Sequence, residues 1–200
     1  HLKDQTLKRP GGGPLQKREP QNYLCHSWIS DDRVIVATDM GELILIEGGE
    51  FRMSLACSPL NGKPIHCVVP CSKGFVTGGG DGFVSYFERT DEQSKDLYKR
   101  VGSYQVLPPP PLVAESHPIK SIAIMPHSEN LLLCTTANNQ IYQLNFSQPD
   151  SLRQDDPSLF EFFHDEKNGG FHSSEVLGID TCVRKPLIAT CGNDKTVKIW

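Results

Sequence analysis

The sequence predicts an all-β chain of repeated hairpin units, and three observations carry that expectation. Apolar runs of strand length recur without helical periodicity, the runs come in pairs across Asn/Asp/Gly turns, and the pairs recur along the 200 residues. The runs are Arg33–Thr38, Glu42–Glu47, 74–77, 83–87, Leu131–Thr136, 141–146, 187–190 and 196–200. No window of helical length carries a 3.6-residue apolar stripe. The 17 Gly and 15 Pro lean the same way, towards a turn-rich fold.

Taken in order, the first unit pairs 34–38 with 42–46 across Asp39-Met40-Gly41. The second pairs 75–77 with 83–87 across Gly78-Gly79-Gly80-Asp81-Gly82. The third pairs 131–137 with 141–144 across Asn138-Asn139-Gln140, and the last pairs 187–191 with 195–200 across Gly192-Asn193-Asp194. These turn residues tolerate the positive φ that a tight hairpin demands. A further strand precedes each hairpin, marked by the apolar pairs Cys25/Trp28, Ile65/Val68, Ile119/Ile122 and Val176/Ile179. Their first members are 40, 54 and 57 residues apart.

Fourth strands are expected at 51–55, 101–106 and 159–164, and insertions at 90–100, 108–116 and 148–170 account for the longer spacings. Residues 1–20 lack periodicity and read as a linker or inter-blade loop. A unit of three or four antiparallel strands cannot cover both its faces alone, so such units stack around a ring. The expectation is therefore a partial β-propeller with blades at 21–60, 61–112, 113–168 and 169–200. It is incomplete at both ends, and the last blade lacks its fourth strand.

The segment "FHSSEVLGIDTCVRKPLIATCGNDKTVKIW" resembles a WD repeat nearly position by position. In that family a His before the first strand, a Ser or Thr in the second, an Asp in the turn and a Trp ending the third form a hydrogen-bonded chain. The resemblance places this structural tetrad at His172, Thr190, Asp194 and Trp200. The other units depart from it. Unit two keeps Thr77 and Asp81, with Lys63 near the His position and Phe87 at the Trp position. Unit three has Thr135, a possible His117, Asn139 for Asp and Leu144 for Trp. Unit one, with Asp39 and Gly41 in its turn, ends its third strand on Ile46. The stretches "CHSWISDDRVIVATDMGELILIE" and "GFVSYFERTDEQSKDLYKR" are further similar to a family of cilia- and flagella-associated WD-repeat proteins.

That resemblance implies a non-catalytic scaffold of the ciliary axoneme, with coiled coil elsewhere in the parent chain. Its implied partners are inner dynein arm components, axonemal regulatory proteins and the doublet microtubule. It also implies an intracellular, cytoskeletal location. The alternative is a WD-repeat adaptor in another assembly, such as a ubiquitin-ligase substrate receptor or a trafficking coat. An enzyme using a channel pocket is a third class, and it would need a cluster of strongly perturbed titratable groups.

Other chemistry is poorly supported by the residues. A net charge of −4 argues against a nucleic-acid partner. The apolar runs are too short to span a bilayer, and the polar start is no signal peptide. The glycine run 78–82 leads into a strand and lacks the Lys-Ser/Thr of a phosphate loop. Cys67 and Cys71 form the one candidate half-site for metal, beginning inside a strand, so neither metal nor cofactor is expected. The seven cysteines fit reduced, buried thiols. His172, Thr190 and Asp194 resemble a catalytic triad in type alone, because a nucleophile must be exposed beside an oxyanion hole. Prolines 108–111 read as a stiff connector, and the basic residues among 1–20 as a solvated loop.

Overall fold

The computed structural model describes residues 21–57, 62–90, 97–107, 117–126, 128–145, 171–172 and 174–200, and the backbone of 160–163. The expected linker 1–20, the insertion 108–116 and most of 148–170 lie outside the described residues. The described strands form four antiparallel sheets, each a meander whose spatial order is its sequence order. The first blade holds β1 (Tyr23–Trp28), β2 (Arg33–Thr38), β3 (Glu42–Glu47) and β4 (Glu50–Ala56). The second holds β5 (Ile65–Cys71), β6 (Gly74–Gly79), β7 (Phe83–Arg89) and β8 (Tyr98–Gln105). The third holds β9 (Ile119–Ile124), β10 (Leu131–Thr136), β11 (Ile141–Asn145) and β12 (Phe160–Phe163). The last holds β13 (Val176–Thr181), β14 (Ile188–Gly192) and β15 (Val197–Ile199). The expected insertion at 90–100 is shorter than its charge suggested, because Tyr98–Gln105 is already strand and Thr90 N donates to Leu97 O at 2.9 Å.

The blades share one backbone signature. The residue after each second strand donates its amide to the carbonyl of the residue before the first strand. These bonds run from Asp39 to Asn22 (3.0 Å), Gly80 to Pro64 (2.7 Å), Ala137 to Pro118 (2.8 Å) and Asn193 to Glu175 (2.8 Å). Just beyond the first paired residue each blade carries the same irregularity, at Tyr23/Cys25, Ile65/Cys67, Thr135/Thr136 and Val176/Gly178. Two residues past each donor the chain turns left-handed, at Gly41 (φ 77°), Gly82 (φ 76°), Asn139 (φ 57°) and Lys195 (φ 62°). This register starts the first blade at Tyr23, two residues before the Cys25 expected from the apolar pairs.

Lys195 is the odd member, because glycine enters that conformation freely and asparagine tolerates it, whereas a lysine is strained there. Lys195→Gly should therefore raise the stability of the last blade by about 0.5–1 kcal/mol. Lys195→Ala should give no such gain. Urea unfolding midpoints of the two variants separate relief of strain from loss of the lysine side chain.

The core is two apolar layers between neighbouring blades. Ile35, Ala37, Leu43 and Leu45 of the first blade meet Ile65, Val68, Phe75, Phe87 and Tyr98 of the second. Val76, Val84 and Tyr104 of the second meet Ile119, Ile122, Leu132, Cys134, Tyr142 and Leu144 of the third. Strand alternation explains how one blade serves both layers, since Phe75 and Val76 are successive residues of the fully buried β6. The innermost strands lie against one another, β1 on β5 and β5 on β9. At the second contact Gly78 has no room for a Cβ, which would lie 2.5 Å from the Ile119 side chain. The last blade differs: Val176, Leu177, Ile179, Val197 and Ile199 are exposed.

Candidate functional site

A continuous polar chain closes the last blade. The indole N–H of Trp200 donates to Thr190 Oγ1 at 2.9 Å. The Thr190 hydroxyl donates to His172 Nε2 at 2.8 Å, and His172 Nδ1–H donates to Asp194 Oδ2 at 2.8 Å. An indole can only donate and a carboxylate only accept, so the two ends set the direction of every proton between them. The hydroxyl and amide of Thr196 donate to Asp194 Oδ1 at 2.8 and 3.1 Å, filling its second oxygen. Thr196 Oγ1 also lies 3.2 Å from His172 Nδ1. The side chains of His172 and Asp194 are only 5% and 6% exposed. Phe171 stacks on Trp200 with centroids 5.9 Å apart.

The four groups come from four parts of the blade: the entry segment, β14, the turn after it and the end of β15. Their bonds tie that entry segment to the turn. Each group is occupied by its neighbours, and the Thr190 oxygen already carries the indole proton. That arrangement suits a fixed joint rather than a nucleophile.

The shared register shows what stands at these positions elsewhere. The Thr190 position is taken by Thr77, Cys134 and Val36 in the second, third and first blades. Thr135 is therefore corrected: it is one residue too late and points to the opposite face. The Asp194 position is taken by Asp81, Asn138 and Met40. Asn139 is corrected too, since it is the left-handed residue that follows. Asp39 precedes the position and instead accepts from Asn22 N and Nδ2 at 3.1 and 2.7 Å, while Gly41 is the left-handed residue of its turn. At the Trp200 position stand Phe87, Leu144 and, as expected from the end of the third strand, Ile46; the first two are buried and Ile46 is half-buried.

The polar remnants are specific. Asp81 accepts from Phe83 N at 3.0 Å. Asn138 Nδ2 meets His117 Nε2 at 2.7 Å, an exposed counterpart of the His172–Asp194 pair. Lys63, expected near the His position of the second blade, is exposed. The Thr77 hydroxyl is met instead by Cys57 Sγ at 3.0 Å, from the segment that leaves the first blade. Burial pushes the Cys57 thiol up to about 12, so it serves as a neutral hydrogen-bonding group. No sequence signal marked Cys57, because it belongs to the preceding unit.

The other perturbed groups are of the same kind. Burial raises Cys67 and Cys134 to about 12 and Cys25 to about 11. These are protonated thiols in blade interfaces, and all seven cysteines are free. Among the described residues no group of His, Cys, Asp and Glu could hold a metal ion. A cleft of about 630 Å3 opens between the third and last blades.

A second inter-blade polar link lies in loops. Glu129, between β9 and β10, accepts from Ser72 N at 2.9 and 2.8 Å and from Ser72 Oγ at 2.5 Å, between β5 and β6. These bonds hold its carboxyl below its ordinary range. A depressed folded-state value means the contribution is present above the unfolded pKa and lost as pH falls through the folded one. The stability difference between wild type and Glu129→Gln should therefore shrink on acidification below about pH 5. Solvent screening limits it to about 0.5 kcal/mol. Paired urea titrations from neutral to acid pH check this, and a constant difference would refute it.

Residues 170–200 match the sequence profile of the WD40 family, described as WD domain, G-beta repeat. The chain is similar to cilia- and flagella-associated protein 57 of Mus musculus, 29% identical over 93% of this chain and 18% of that protein. It is 33% identical to cilia- and flagella-associated protein 57 A of Tetrahymena thermophila, over 94% of this chain and 14% of the relative. The chain thus spans less than a fifth of these relatives' length. Among solved structures it is similar to the Cps50 (Swd1) beta-propeller domain of Myceliophteria thermophila. The TM-score is 0.56, with 16% identity over 90% of this chain and 54% of that one. The computationally designed Ika4 protein gives a TM-score of 0.51 at 14% identity, over 92% of this chain and 93% of that one. The fold is that of a β-propeller, present in part.

Proposed function

We propose, from the premise that this chain is a WD-repeat β-propeller segment, that it is a non-catalytic scaffold of the cilium or flagellum. The observation that carries this reading is its similarity, over more than nine-tenths of its length, to proteins named for cilia and flagella. The finer reading is a platform in the axoneme that helps to position or regulate a subset of inner dynein arms on doublet microtubules. Its partners are then inner dynein arm components and axonemal regulatory proteins, and coiled coil lies elsewhere in the parent chain. The blades run 21–60, 61–112, 113–168 and 169–200.

The polar groups support a structural role. His172, Thr190, Asp194 and Trp200 act as a joint within the last blade, and the strongly raised groups elsewhere are thiols and tyrosines raised chiefly by burial. A propeller serves such a role by presenting loops on a rigid frame. Native axonemes imaged by cryo-electron tomography, with a tag on the full-length protein, test the assignment. Density at the inner-dynein bases is expected. Density elsewhere in the cell, in a ubiquitin-ligase or coat assembly, would transfer the segment to the adaptor class.

A further inference from the structure

We propose that Thr135 wedges open the joint between the third and last blades, and that this joint, unlike the two before it, has a second, closed state. In that state the last blade packs onto the third in the register the other joints already use. The inference goes beyond the scaffold reading and does not depend on it.

The shared register identifies which residues meet at each joint. Ile65 and Val68 of the second blade correspond to Ile119 and Ile122 of the third and to Val176 and Ile179 of the last. The first four are buried in the two apolar layers, whereas Val176 and Ile179 are 50% and 71% exposed. On the facing side of each joint, Ile35 and Val76 are buried, and Leu133 at the same place is exposed. The third joint thus carries the apolar surface of the other two without packing it. The cleft of about 630 Å3 fills the space, with Thr135 and Ile141 on one wall and Val176, Thr190 and Trp200 on the other. Among the described residues, β9 and β13 lack the close approach that joins β1 to β5 and β5 to β9.

The residue at the tightest point explains the difference. A Cβ on Gly78 would lie 3.0 Å from the Ile119 Cβ and 2.5 Å from its Cγ2, so the second joint closes on a position without a side chain. The first blade places Ala37 there, fully buried, and the third places Thr135. Threonine adds two heavy atoms beyond alanine's one, and its branched Cβ leaves χ1 little freedom to turn them away. Close packing has no space for them, and closing would also strip water from the hydroxyl. Gln143, at the position of Leu45, puts a second polar group on the same face. Against this, Leu133, Val176 and Ile179 favour closure by the apolar area they would remove from water. An extended apolar gain opposed by a local steric and polar cost gives two states of comparable free energy. The polar chain from Trp200 to Asp194 holds the last blade together, so it moves as one body. The cleft then exists in the open state alone.

The test reads maleimide labelling of Val176→Cys in the full-length protein, with each cysteine resolved by peptide mass spectrometry. With Thr135 in place labelling is expected to be fast. Thr135→Ala should slow it at least about tenfold, because labelling follows the open population. Thr135→Val keeps the branched shape without the hydroxyl and should label as fast as wild type. Val183→Cys, fully exposed, should label alike in all three backgrounds, and buried Cys134 should stay unlabelled while the fold is intact. The pair Thr135→Cys and Val176→Cys should form a disulfide under mild oxidation, since their counterparts at the second joint bring Cβ positions as close as that bond requires. Equal labelling with Thr135 and Thr135→Ala would overturn the proposal. So would slow labelling with Thr135→Val, which would assign the effect to the hydroxyl and not to bulk. Labelling of Val176→Cys beside Thr135 as slow as that of Cys134, or no 135–176 disulfide, would overturn it as well.

Discussion

Phe87→Ala should destabilise the protein by about 3–5 kcal/mol, the largest effect expected of any single substitution considered. Phe87 is 1% exposed and stacks on Phe75 with centroids 4.9 Å apart and planes 13° from parallel. Phe75 in turn meets Tyr98 at 5.3 Å. The three rings span β6, β7 and β8, so deleting the Phe87 ring opens a void in the layer joining the first two blades. The surrounding strands are hydrogen-bonded on both sides and cannot collapse into the space. Phe87→Leu refills part of the volume and should recover more than half of the loss. Urea unfolding of both variants checks the order. Equal costs for Ala and Leu would mean that the position is not packed as the ring geometry implies.

His172→Ala should cost about 2–4 kcal/mol, less than Phe87→Ala and by a different route. The imidazole joins two groups that cannot turn to water, so its removal strands the Thr190 hydroxyl and strips Asp194 of one partner. Asp194 keeps the Thr196 hydroxyl and amide, which holds the cost below that of a fully orphaned buried carboxylate. A double-mutant cycle with Thr190→Val measures the coupling directly. A coupling of at least about 1 kcal/mol is expected. Additive costs would show that the residues stabilise the blade separately and not as a chain.

The fold class was legible in the sequence because strand alternation and turn residues are local properties. The polar groups of the last blade were legible through resemblance, since all four kept their usual types. Positions in the other blades slipped by one, for an identifiable reason. Asn139 and Asp39 are both good turn formers, and composition does not say which turn residue adopts positive φ. Backbone geometry settles it, through the bond from each turn to the residue before the first strand. Thr135 slipped because a cysteine, Cys134, stands at the hydroxyl position and the next residue offers the expected residue type. Cys57 was invisible for another reason: it reaches Thr77 from the preceding blade, and no pattern within one unit can report a group lent by its neighbour.

The recurring bond from the turn to the entry residue has a consequence for how such repeats diverge. Its donor is a backbone amide and its acceptor a backbone carbonyl, atoms that nearly every amino acid supplies. The acceptor residues here are Asn22, Pro64, Pro118 and Glu175, and proline qualifies because only its carbonyl is needed. A lineage can therefore replace the indole, imidazole, hydroxyl and carboxylate one at a time while the bond that sets each blade's register survives. The profile match covers residues 170–200, the blade that holds all four side chains, on a chain whose backbone bond repeats four times.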